Sequence, residues 1–89
     1  MAHVFDIKMQ AHIAATPIGQ AAALQLEAAV ANFYIHEHYG LAQIPECREY
    51  GKESYLPKNG YITVPDVPGL GQELSEKAIC EAVWHRVES

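Results

Sequence analysis

Positive charge, cysteine and length are all scarce in this chain. Its 89 residues carry 6 Lys and Arg against 11 Asp and Glu, a formal net charge of −5. No basic patch interrupts that balance, which argues against nucleic acid as a partner. The 2 cysteines, Cys47 in a loop and Cys80 in an expected helix, lack the close spacing of a zinc or redox motif. They read as free thiols in a reducing compartment, so the cytoplasm is the expected location. The amino terminus, MAHVFDIKMQ, has Asp6 and Lys8 among its apolar residues and reads as neither leader nor membrane anchor. A chain this short makes one small domain at most. It cannot close a barrel of about 250 residues by itself.

The stretch from Ala11 to His38 organises the rest. Val4 to Ala11 alternates imperfectly, with Ile7, Met9 and Ala11 on one face and Lys8, Gln10 and His12 on the other, as in a strand. Thr16 and Pro17 mark a helix start, and the segment to Ala31 is rich in alanine, with Gln20 and Glu27 as its one clear polar stripe; Asn32 closes it. Phe33 to His36 reads as a second strand, with Phe33, Ile35 and Glu37 on one face and Tyr34, His36 and His38 on the other. Strand, helix, strand is a βαβ unit, and the fold class is α/β. Its right-handed crossover brings His12 and Glu37 to the carboxyl ends of neighbouring parallel strands, the edge where α/β sheets keep their chemistry.

Residues 39–60 hold no period and read as a long loop ending in the Asn59-Gly60 turn. Residues 61–89 form an extension. Within it Tyr61 to Val64 is a short strand, PDVPGLG a turn-rich stop, and Ser75 caps a helix from Glu76 to Arg86 with Ala78, Ala82, Ile79 and Val83 facing inward. Residues 1–89 are thus a single segment in three parts, 4–38, 39–60 and 61–89.

Two constellations carry candidate chemistry. His12 with Glu37 pairs a general acid/base with a carboxylate that can orient a substrate, although a strand-end histidine is commonly just a surface residue. His36 and His38, at i and i+2, share a face and leave open a zinc site with a third ligand from Glu46, His12 or another chain.

The run HIAATPIGQAAALQLEAAVANFYIHE, followed after the loop by NGYITVPDVPGLGQEL, resembles the carboxyl-terminal end of the mandelate racemase and muconate lactonizing branch of the enolase superfamily. It is most similar to the galactonate and mannonate dehydratase kind. The likeness covers about Ile7 to Ile79. Three separated features carry it: the histidine before a small-residue helix, the NF-x-I-x-E strand, and the PGLG-containing ending.

The resemblance implies a segment equivalent to the last two units of a (β/α) barrel plus a strand-turn-helix extension. It implies magnesium-assisted removal of a proton next to a carboxylate, then loss of a hydroxyl, on an acid-sugar substrate. His12 then matches the histidine of a proton-transferring dyad, and Glu37 the glutamate that hydrogen-bonds the substrate. The family's three acidic magnesium ligands, its dyad aspartate and its capping domain fall upstream of the matched region. No metal or cofactor is therefore expected for the chain alone, which is expected to be inactive. A small oligomeric partner-binding module and a histidine-based metal protein are the alternatives. A homo-oligomer is expected in any case, because the alanine-rich helix is apolar on most sides, and no membrane partner is expected.

Overall fold

The computed structural model describes residues 1–38 and 44–88. Its longest element is helix α1, Pro17–Ala29. Thr16 precedes it in an extended conformation, φ −66° and ψ 172°, and accepts the first intrahelical bond at its carbonyl from the Gln20 N–H (2.9 Å). The Thr16 side chain makes no cap bond. Proline suits the first turn because its missing N–H would have had no partner there.

The helix stops at Ala29, short of the expected Ala31. Asn32 explains the early end. Its carbonyl accepts from Met9 N–H at 2.8 Å and its side-chain amide donates to the Ile7 carbonyl at 2.8 Å, so the backbone must already be extended. That junction forms one parallel bridge, Met9 with Phe33, completed by Tyr34 N–H to the Met9 carbonyl at 3.0 Å.

The expected strands are otherwise shorter than the alternation suggests. Ala2–Phe5 is a 3-10 turn ended by Asp6 in the left-handed region, φ 57°, in place of the first half of the Val4 to Ala11 strand. Among the described residues Tyr61 to Val64 forms no strand. A parallel pair needs neighbours on both sides and covered faces to extend, and local periodicity carries no information on either.

Within the expected loop, helix α2 occupies Pro45–Arg48, while 39–43 lie outside the described residues. The Asn59-Gly60 turn forms as expected: Lys58 and Tyr61 bridge across φ values of 52° and 83°, the positive pair of a type I′ turn. Gly51 and Leu74 make an antiparallel bridge that the sequence did not announce. PDVPGLG is irregular, and Gly71 is required there. Its φ is 76°, and a Cβ would come within 2.4 Å of Pro65 Cγ.

Ser75 caps helix α3, accepting from Ala78 N–H at 3.2 Å. The helix runs only Glu76–Glu81, not to Arg86. Ile79 and Val83, expected inward, are exposed, Val83 by 82%. So little of Val83 is covered that its burial contributes little to holding another turn.

Burial on α1 inverts the expected pattern. Gln20 and Glu27, read as its wet stripe, are buried with Ile13, Ala21 and Leu24. Gln20 Nε2 donates to the Tyr55 carbonyl at 3.1 Å, and Gln25 Nε2 to the Pro65 carbonyl at 3.1 Å. The polar side chains are the grips by which α1 holds the later chain. Ala22, Leu26 and Ala29, at i, i+4 and i+7, face solvent instead. The accessible surface is 6938 Å², against roughly 5,200 Å² for a compact chain of 9.8 kDa. The radius of gyration, 14.9 Å, likewise exceeds the roughly 12 Å of a closed domain of this length.

Candidate active site

The crossover places both candidate residues where expected. His12 follows the Met9 bridge on one side and Glu37 follows Phe33 on the other, and His12 Nδ1 lies 3.1 Å from Glu37 Oε2. The Ile13 N–H donates to the same oxygen. The His12–Glu37 contact is one of ion-pair distance rather than a formed hydrogen bond; because a carboxylate only accepts, it favours in the neutral ring the tautomer with its proton on Nδ1, which leaves a lone pair on Nε2. The His12 side chain is 81% exposed, so that lone pair faces open space. Ile13 itself is buried and anchors the backbone donor. The arrangement can serve as a base: the carboxylate biases the tautomer of the neutral ring, and the far nitrogen can take or return a proton.

His36 and His38 lie on the other side. The His36 side chain turns to α1 and sets Nδ1 2.6 Å from Glu27 Oε2, the two side chains only 11% and 4% exposed. His38 shares its face, with ring centroids 6.3 Å apart. Burial first, then the neighbouring His36, holds the His38 imidazole below its ordinary value of 6.5. A groove of about 530 Å³, lined by Leu24, Ala28, Phe33, Tyr61, Ile62 and Val64 together with these histidines, runs along this face.

Glu27 was missed in the sequence as a partner of His36. The available signal was that positions three and four away on the helix, Ala23, Leu24, Val30 and Ala31, offer it no cation. A buried acid without a helical partner must find one on a neighbouring element.

Among the described residues no group of three or more His, Cys, Asp or Glu side chains could hold a metal ion. The zinc arrangement of His36 and His38 with Glu46 or His12 is therefore not assembled there: His12 faces Glu37, and His36 is engaged by Glu27. Nor do these residues fit the hard, oxygen-rich shell that magnesium requires. No helix among them is long and apolar enough to cross a membrane.

Comparison with known proteins agrees with this architecture. Residues 1–78 match the enolase C-terminal domain-like family, and the chain belongs to that family. The D-xylonate dehydratase of Haloferax volcanii is 30% identical over 79 residues, which cover 89% of this chain and 19% of that protein. A crystal structure of an enolase superfamily member from Salmonella Typhimurium is 44% identical, with a TM-score of 0.85 over 91% of this chain and 21% of its own. A presumed dehydratase from Zymomonas mobilis ZM4 gives 42% identity and a TM-score of 0.85, over 90% of this chain and 20% of its own. The chain thus spans about a fifth of the length of these relatives.

Proposed function

We propose that this chain is the carboxyl-terminal part of a magnesium-dependent acid-sugar dehydratase, equivalent to the last two barrel units and their extension, and that it is inactive alone. The observation that carries this reading is the His12–Glu37 pair, held at 3.1 Å on a backbone shared with one fifth of longer enolase-superfamily chains. In the reaction, His12 Nε2 exchanges a proton with the carbon next to the substrate carboxylate, its dyad partner being the aspartate supplied upstream. Glu37 hydrogen-bonds the substrate or intermediate.

An enolate needs its charge neutralised by a cation and preorganised donors. The described residues provide the histidine and the glutamate but no group of three or more ligands for the cation. We expect no turnover of any acid sugar by the chain alone with magnesium, and turnover abolished by His12→Ala would overturn that inactivity. Grafting the chain in place of the last fifth of D-xylonate dehydratase tests the assignment of roles. A folded, active chimera whose rate is indifferent to both His12→Ala and Glu37→Ala would refute it.

A second reading, an oligomeric partner-binding module without chemistry, is favoured by the exposed Ala22, Leu26 and Ala29 face. Under either reading the apolar surface meets a partner, and the simplest partner is a second copy. A light-scattering mass equal to one chain at high concentration counts against the second copy.

A further inference from the structure

We infer that Glu27 and His36 form a buried clamp whose task is to aim Glu37 at His12, which makes both of them positioning residues for the candidate site. The inference rests on the reading of His12 and Glu37 as the reacting pair.

Glu27 is costly where it stands. It lies in the last turn of α1, Pro17–Ala29, where the negative end of the helix dipole disfavours a carboxylate. Its side chain is 96% buried, the complement of 4% exposure, where an unpaired charge is strongly destabilising. Its Oε1 and the Nε2 of His36 have no hydrogen-bond partner among the described residues. One contact compensates, the 2.6 Å bond from His36 Nδ1–H to Glu27 Oε2. A leucine would fill the same space without these costs.

The contact sits where the backbone needs it. The one ladder pairing between the two extended runs is at Phe33, and no strand is formed over residues 34–38. Glu37 is four residues beyond that anchor, about 13 Å of extended chain. Successive side chains of an extended segment point to opposite faces, so fastening His36 to the helix turns Glu37 the other way. There it meets His12 Nδ1 and the Ile13 N–H. Glu27 never touches the reacting groups; it acts through His36 and the backbone.

The readout is the tautomer of the His12 ring, taken from long-range proton–nitrogen NMR spectra of the whole chain at pH 8. In the wild type His12 carries its proton on Nδ1. In Glu27→Ala and in His36→Ala it loses that form and matches Glu37→Ala, while the Asn59-Gly60 turn amides keep their shifts. Glu27→Gln, whose amide oxygen still accepts from His36, restores the wild-type form. Because His36 lies outside every helix, His36→Ala decides the matter if Glu27→Ala fails to fold. A His12 ring still protonated on Nδ1 in His36→Ala overturns the clamp and leaves the His12–Glu37 pair standing. A His12 tautomer unaffected by Glu37→Ala overturns the pair itself, and the clamp with it.

Discussion

Leu24 and Leu26 stand two positions apart on α1, with the same side chain and opposite surroundings: Leu24 is 3% exposed and Leu26 54%. Both fall in the run that periodicity describes as apolar on nearly every side, so sequence alone would give their truncations equal effects. Replacing either by alanine changes helix propensity by the same small amount, which cancels in the comparison. Leu24→Ala removes one of the three buried apolar side chains among the described residues, with Ile13 and Ala21. It opens a cavity beneath α1, a change that costs about 2 to 5 kcal/mol. Leu26→Ala removes a side chain already half in water and costs within about 1 kcal/mol. A whole chain of this size has on the order of 4 to 13 kcal/mol to lose, so Leu24→Ala takes a large share. Urea titration followed by far-ultraviolet circular dichroism, repeated over a tenfold range of protein concentration, separates the two. Equal midpoint shifts at low concentration would refute the assignment of the buried face. A Leu26→Ala effect that appears only at high concentration would locate Leu26 in an interface between copies.

Two further outcomes follow from the opposite face of the extended run 33–38. Because His36 is committed to Glu27, zinc is expected to bind the wild type no more tightly than His36→Ala/His38→Ala; a clear calorimetric difference would revive a metal role. His38, held below its ordinary value by burial and by His36, binds its proton less readily folded than unfolded. Its contribution to stability is thus present above about pH 6.5 and is lost as the pH falls through the lowered value. The urea midpoint should drop between about pH 7.5 and 5.5, less so in His38→Gln, and an identical slope in the two proteins would remove His38 as the cause.

Local chemistry made some of this legible in the sequence. Thr16-Pro17 fixed the start of α1 because proline's constraint is intrinsic to the residue, and Asn59-Gly60 formed its turn because asparagine tolerates positive φ and glycine, lacking a Cβ, adopts it freely. The meeting of His12 and Glu37 followed from the parallel pairing of the two runs, which a helix between them requires. Strand lengths did not follow, since a ladder depends on what pairs alongside it. The inverted burial of α1 was hidden for a related reason. Amphipathicity ranks side chains by their liking for water, whereas Gln20, Gln25 and Glu27 are placed by the carbonyls and the imidazole that meet them. The early end of α3 belongs with these, for the outward Ile79 and Val83 keep their spacing but lack a surface to pack on.

The grips of α1 also set a clock. Gln20 waits for the carbonyl of Tyr55 and Gln25 for that of Pro65, partners 35 and 40 residues downstream. A ribosome adding about 5 to 20 residues per second needs roughly 2 to 8 s to make 40 of them. Helical turns come and go within about a microsecond. During synthesis α1 therefore goes for seconds without these two downstream partners, its turns forming and melting many times. That interval is when a chaperone, or a neighbouring nascent chain, has its best access to the face that carries Leu24, which the folded chain covers.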